Sequence, residues 1–175
     1  MKKIFKYIFA GMAAMSVVAC SEDALETSPS SSVSGNELLG TATNALVSLN
    51  GVYRAMYTAG VSNSSNTHQC FGITAYNLVA DVMGEDCIMN GQGSGWFWYD
   101  CVYNVKSRYT STGWRSYDMW NGYYTWISNV NYILAEEETM SGSETEKNYV
   151  LGQAYAVRAY SYFMLAQMFS RTYKE

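Results

Sequence analysis

The chain has 175 residues, of which 49% are hydrophobic, 15% aromatic and 15% charged, with a single proline. Charged content well below the roughly 25% of an average soluble protein, beside ordinary apolar content, excludes long disorder, collagen and coiled coil. The formal charge is −4 from 11 basic and 15 acidic side chains; setting aside Lys2, Lys3 and Lys6 in the N-terminal segment leaves 8 against 15, or −7, a balance that repels phosphate backbones and gives no support for nucleic-acid binding.

Met1 to Lys6 is basic, Ile8 to Val18 apolar and Ala19 small, the layout of a secretory signal. An apolar run of about 11 residues falls short of the ~20 that a membrane-spanning helix takes, so residues 1–19 are predicted to be an export signal. Val17-Val18-Ala19-Cys20 resembles the lipobox of bacterial lipoproteins, whose cysteine is acylated, and Ser21-Glu22-Asp23 resembles the acidic tag of surface lipoproteins in the Bacteroidetes. Acyl chains contribute about 0.8 kcal/mol per buried CH2, so several on Cys20 would hold the protein on a membrane. The alternative is an ordinary signal peptide that ends beside a cysteine. Residues 20–35, serine-rich and carrying Pro29, are predicted to be a lipidated tether, with a helical domain over 36–175.

Ser34 and Glu37 have capping-box spacing, and Leu38, Ala42, Ala45, Leu49, Val52 and Met56 follow at helical period up to Gly60. A Ser/Asn-rich loop over 61–67 leads to a second helix on Phe71, Ala75, Leu78, Val79 and Val82, stopped by Gly84. The stretch from Gly84 to Gly95 reads as irregular loop, followed by Trp96-Phe97-Trp98-Tyr99; Val102 to Val105 is either a short strand or an ordered loop. A third helix begins at Trp114, with Tyr117, Trp120, Tyr124, Ile127, Asn131 and Leu134 on its expected core face, and ends near Glu136-Glu137-Glu138. Thr139 to Gly142 is a polar turn, and Ser143 with Glu146 caps a fourth helix through Tyr149, Gln153, Ala154, Val157, Ala159, Tyr162, Phe163, Leu165 and Ala166. Large aromatics on one helix against Ala154, Ala159 and Ala166 on the next predict an antiparallel pair of tetratricopeptide type. The fold class expected is mainly α, built of such pairs and incomplete at the C-terminus, because one pair cannot bury both its faces.

Cys70, Cys87 and Cys101 remain once Cys20 is set aside, enough for at most one disulfide. With His68 they lack the C-x2-C and H-x3-H spacings of a zinc site, so no metal is expected, and buried thiols acting as small apolar side chains are the simpler reading. His68 has no orienting partner in sequence for a Cys/His nucleophile pair. A calcium loop counted from Asp86 puts Ile88 and Phe97 where oxygen ligands belong, and no Gly-rich phosphate loop with a lysine is present; no cofactor is expected.

Trp120-x3-Tyr124-x2-Ile127-x3-Asn131-x-Ile133-Leu134, then Gln153-Ala154-x3-Arg158-Ala159-Tyr160-x-Tyr162-Phe163-x-Leu165, together with the lipobox and acidic tag, resemble the SusD/RagB family of surface nutrient-binding lipoproteins. Asp81-Val82-Met83-Gly84-Glu85-Asp86 is similar to the acidic segment which that family places before its aromatic loop. Gln153 departs from the usual glutamate and Ser170 from the usual glycine. Members of the family run several times further, so the resemblance is to an N-terminal portion. It implies a lipid-anchored, surface-exposed protein of the cell outer membrane that captures glycans without cleaving them and acts as a lid over a SusC-like TonB-dependent transporter.

The residues agree with that in kind. Sugar rings offer C–H faces to flat aromatic side chains, and their hydroxyls take Asn, Asp and Arg at the rim. Trp96, Trp98 and Tyr99, with Asp81, Asp86, Asp100 and Asn104 close in sequence, form the candidate glycan platform. The competing reading is that these aromatics are core and loop packing. Trp120, Tyr124 and Tyr162 follow helical period and are expected in the core. Two other functions share the chain: an adhesin or scaffold that binds protein through its helix pairs, and, more remotely, a surface glycosidase pairing Asp81 with Glu85 or Asp86, which would need a cleft holding two carboxyls about 5 to 10 Å apart.

Overall fold

In a computed structural model, which describes residues 38–59, 65–84, 87–102 and 109–171, the chain is helical, and every described residue falls in one unit, Asn36–Glu175. In chain order the elements are α1 (Ala42–Ala55), a 3-10 turn (Thr67–Gln69), α2 (Ile73–Met83), a single helical turn α3 (Trp98–Cys101), α4 (Trp114–Ala135) and α5 (Glu144–Phe169). Among the described residues there is no strand, only one isolated bridge between Thr41 and Ser141. Residues 1–37, which hold the predicted signal, lipidation site and tether, lie outside those described, as does most of the Val102 to Val105 stretch.

The helical pattern predicted from Leu38 is interrupted: Leu38 and Leu39 are helical, the course breaks at Gly40, and α1 begins after Thr41. Thr41, with extended backbone, accepts the Asn44 N–H on its side-chain oxygen at 3.1 Å and so satisfies one of the donors that a helix start leaves open. Beyond the cap Ala42, Ala45, Leu49, Val52 and Met56 are buried as their spacing predicts, whereas Leu38 is exposed and its neighbour Leu39 buried instead. The Ser34–Glu37 cap lies outside the described residues. Backbone bonds from Ala42 N to Ser141 O and from Ser141 N to Gly40 O, both 2.9 Å, stitch the start of α1 to the α4–α5 turn.

The helix α2 begins where the chain passes directly over the end of α1. Gly72 has φ 71°, and a Cβ there would fall inside the Met56 carbonyl group, whose oxygen accepts the Ile73 N–H at 2.8 Å. Only glycine satisfies both the left-handed backbone and this approach. Ala75, Tyr76, Val79 and Val82 are buried on α2, while Leu78, expected inward, is exposed.

The pair α4 and α5 is antiparallel, as expected: Glu137 meets Tyr155, and Asn131 meets Arg158, at side-chain hydrogen-bond distances of 2.6 and 3.0 Å. The buried face of α4 is not the expected one. Met119, Gly122, Tyr123, Trp126, Ile127, Val130 and Ile133 point inward, and Ile127 is the member shared with the predicted stripe. Trp120 at 46%, Tyr124 at 38% and Tyr162 at 48% exposure correct the expectation that they form the core. One residue of offset turns a helix by about 100°, and α4 carries apolar residues in both registers. Gly122 selects between them, because a Cβ at that position would collide with the Tyr76 hydroxyl, which instead donates to the Asp118 carbonyl at 3.0 Å. Another set of aromatics is left outside, in contact with each other: Trp120 with Tyr124 and Phe169, and Tyr124 with Tyr162.

On α5, Val150, Leu151, Ala154, Val157, Ser161 and Leu165 are buried. Of the three alanines expected to let the pair approach, Ala154 does so, and Ala159 and Ala166 are exposed. The helix is capped as its sequence predicts. Glu146 N–H donates to Ser143 Oγ, and the Ser143 N–H and hydroxyl both donate to Glu146 Oε2, at 3.0 and 2.7 Å.

Two predictions follow from these helix ends. Gly72→Ala is expected to destabilise the protein by at least about 2 kcal/mol in urea unfolding, whereas Gly152→Ala, where a Cβ meets nothing within 4 Å, is expected to be neutral or to stabilise by up to about 1 kcal/mol. The Ser143 donors hold the Glu146 carboxyl below its ordinary value of 4.5. A folded value lower than the unfolded one means that the cap's contribution is complete above pH 4.5 and is lost as pH falls through the folded value. Thermal melts in that acid range should fall off less steeply for Glu146→Gln than for the wild type.

Candidate functional site

The aromatic loop is turned by backbone that side chains rarely adopt. Gly95 has φ 85°, and Phe97, at φ 56°, is the one non-glycine residue with positive φ among those described. For an L side chain this costs about 1–2 kcal/mol. Burial of the Phe97 ring, 6% exposed and edge-on to Phe71 with centroids 6.2 Å apart, offsets it by about 1.5–3 kcal/mol. The Phe97 N–H also donates to Gln69 Oε1 at 2.8 Å. With Phe97 turned in, its neighbour Trp96 is turned out and keeps half of its surface exposed.

Beneath this loop lies Arg115, from the first turn of α4, only 2% exposed. Its Nη2 donates to Asp100 Oδ2 at 3.0 Å and its Nη1 to the Gln69 carbonyl at 2.8 Å. The guanidinium lies 4.2 Å from the ring centre of Trp114 and 5.2 Å from that of Phe97. Tyr109 donates its hydroxyl to the other carboxylate oxygen of Asp100 at 2.6 Å. A planar guanidinium can donate in two directions while its faces lie on aromatic rings, which an ammonium cannot do. Arg115 therefore joins the 3-10 turn, the loop of α3 and the start of α4 through one side chain.

Of the predicted glycan contacts, Trp96 and Tyr99 are exposed, Tyr99 at 40%, and Trp98 is half-buried at the start of α3. Asp100 is buried beneath them, with its carboxylate engaged by Arg115 and Tyr109. Asp81 is exposed on α2, and Asp86 and Asn104 lie outside the described residues. The loop thus exposes Trp96 and Tyr99, with a buried ion pair between Asp100 and Arg115 beneath it.

Two cavities border the helices, the first of them also reaching Tyr109 and Arg115. One, of about 300 Å³, opens between α2, α4 and the end of α5, lined by Val79, Met83, Met119, Met168 and Phe169 among others; a second, of about 370 Å³, adjoins Tyr117, Trp120 and Phe169. Neither is lined by Trp96, Trp98 or Tyr99. Among the described residues no group of three His, Cys, Asp or Glu side chains converges as a metal site would require. Cys70 is buried and Cys101 half-buried, but Cys87 is exposed, which corrects the expectation that all three thiols are interior; none is joined to another.

Sequence reasoning missed Arg115, Gln69 and Tyr109, whose partners lie 9 to 46 residues away. It weighed His68 only as a metal ligand or a nucleophile's base. The imidazole instead packs on Trp96, with ring centres 5.1 Å apart, at a tilt of 36°. Of these, only Arg115 left a trace in the sequence, as a basic residue beside a tryptophan at a helix start.

Removing one partner of the buried pair leaves an uncompensated charge. Arg115→Ala is therefore expected to cost about 3–5 kcal/mol, and the double replacement Arg115→Met with Asp100→Leu less than the sum of the two single ones. Urea unfolding of the four proteins in a double-mutant cycle measures this.

Residues 23–175 match the family model SusD-like_3, described as starch-binding associating with outer membrane. No curated protein and no solved structure shows significant similarity to the chain.

Proposed function

Since the chain belongs to the SusD-like family, we propose that it captures a glycan at the cell surface on the Trp96–Tyr99 loop and hands it, uncleaved, to a SusC-like TonB-dependent transporter of the outer membrane. The observation that carries this reading is the pairing of an exposed Trp96 with a rigid base: half of its surface is open while Phe97, Gln69, Asp100 and Arg115 hold the loop from below. Ring stacking on a sugar gains from such rigidity, because the binding energy is not spent on ordering the side chains. Trp98 and Tyr99 extend the surface, and Asp81, Asp86 and Asn104 are the candidates for hydroxyl contacts. Asp100 supports the platform from beneath.

Asp100 on the loop is committed to Arg115 and Tyr109; a glycosidase pairing Asp81 with Glu85 or Asp86 would need two carboxyls across a cleft, and Glu85 and Asp86 lie outside the described residues. Acylation of Cys20, with the acidic residues Glu22 and Asp23 after it, would place the domain on the outer face of the membrane at the end of a short tether. Among the described residues no helix is long and apolar enough to cross a membrane.

A second reading, a scaffold that binds protein, draws on the exposed aromatic strip of Trp120, Tyr124, Tyr162 and Phe169. Substitutions separate the two. In retention of the full chain on insoluble starch and a panel of other polysaccharides, Trp96→Ala is expected to lower retention about tenfold or more, from a loss of about 1.5 kcal/mol or more, with helicity by circular dichroism unchanged. Retention on no glycan, or equal retention by the variant, would count against the platform. Cys20→Ser is expected to move the protein from the membrane to the soluble fraction and to abolish labelling with a fatty-acid analogue.

A further inference from the structure

Arg115 ties two segments together through its Nη atoms, but its Nε–H is accepted by no atom of the described residues, although the side chain is only 2% exposed. A buried donor left open in this way is uncommon in a native protein. The same side chain lines two voids outside the ion pair. One, beside Gln69, Tyr99 and Asp100, measures about 10 Å³, room for at most a single water. The other is the cavity of about 300 Å³ between α2, α4 and the end of α5. We propose that this larger cavity binds a neutral aromatic molecule carrying an acceptor oxygen, an aryl ketone or ester, with its rings among the methionines and its oxygen on Arg115 Nε.

The walls set the class of ligand. Met83, Met119 and Met168 come from the three helices in turn, together with Val79 and Phe169. Thioethers adapt to irregular shapes and make favourable contacts at ring edges, so three of them favour an aromatic guest. A cavity of roughly 150 Å³ holds one benzene ring, and this one has room for about two fused rings. A sugar does not suit it, because most of its hydroxyls would face methionine and phenylalanine without a partner.

Charge narrows the class further. Arg115 is the one charged residue that lines the cavity among those described, and Asp100 neutralises it at 3.0 Å. An anion would add a second negative charge to a balanced pair, and a cation would meet no free carboxylate; a neutral molecule avoids both costs. Two hydroxyls near this end are donors already in use, Tyr109 to Asp100 and Tyr76 to the Asp118 carbonyl. The open group is thus the Nε–H, and its complement is an acceptor. Because Gln69 and Asp100 fix Nη1 and Nη2, the guanidinium is oriented before a ligand arrives, and little ordering is needed on binding. Ser116 and Phe169 also line the neighbouring cavity beside Trp120, which gives a route in from the surface.

The test uses the full chain and the fluorescent naphthyl ketone prodan, whose emission is expected to shift to the blue on saturable binding. It is displaced by 2-acetylnaphthalene, by 2-ethylnaphthalene, which lacks the oxygen, and by the anion 2-naphthoate. The ketone is expected to displace at about tenfold lower concentration than either of the others, from one hydrogen bond to a charged donor. In the wild type the Arg115 Nε–H resonance, assigned through its proximity to the Trp114 and Phe97 rings, should move further with the ketone than with the hydrocarbon. Met168→Trp, which fills the cavity from a half-buried position near the end of α5, is expected to weaken binding about tenfold or more with helicity unchanged. Should that variant lose helicity, the wild-type resonance decides. No sugar enters these measurements, so their outcome is independent of glycan capture on the Trp96 loop. Equal displacement by 2-ethylnaphthalene, a resonance that the ketone leaves in place, or full binding by a folded Met168→Trp overturns the proposal.

Discussion

Arg115 enters the interior of this fold as a full positive charge, and the segments around it are arranged to meet that charge. Asp100 supplies the opposite charge, Gln69 a carbonyl, and Trp114 and Phe97 the faces of two rings. Each of these comes from a stretch of chain that carries little core of its own: a three-residue 3-10 turn, a four-residue helical turn and the first residues of α4. Apolar burial orders long helices well, but short irregular segments present too little surface for it and are ordered by specific polar bonds instead. A buried ion pair adds little net stability. What it contributes here is geometry, since a loop tied to a guanidinium has few alternative positions.

The same requirement explains why strained backbone occurs where it does. Phe97 takes a left-handed conformation because its ring goes into the core while its N–H goes to Gln69. That conformation reverses the direction of the neighbouring side chain and leaves Trp96 on the surface. The outward tryptophan is therefore a consequence of the inward phenylalanine, and both depend on the polar bonds beneath them.

Across the helical pair a different constraint operates. Helix α4 could bury either of two aromatic stripes, and the one carrying Trp120 and Tyr124 is left outside. Close approach decides the matter: Gly122 admits the Tyr76 ring, and Tyr123 and Trp126 pack against that ring at 5.4 and 6.0 Å. A glycine beside interlocking rings permits close packing that a Cβ at Gly122 would prevent. The exposed strip on α4 and α5 is thus what remains after the better-fitting face has been used.

Much of the fold was legible in the sequence because it rests on local rules. The Ser143–Glu146 cap, the stop at Gly84, the inward face of α1, the antiparallel arrangement of α4 and α5 and the family itself all follow from residues close together in the chain, whose spacing is preserved whatever they pack against. The lipobox and its acidic tag belong to the same kind of reading, though they lie outside the described residues. The choice of buried face on α4, the break at Gly40 ahead of the Thr41 cap, the exposure of Cys87 and the burial of Asp100 could not be read that way. Each depends on which distant atoms arrive at a given surface: Tyr76 against Gly122, Ser141 against the backbone around Thr41, Arg115 against Asp100. Local pattern thus specified the elements and where most of them end, while the side chains that support or present the aromatic loop were chosen by contacts between segments, because burial and pairing are properties of neighbours in space and not of neighbours in sequence.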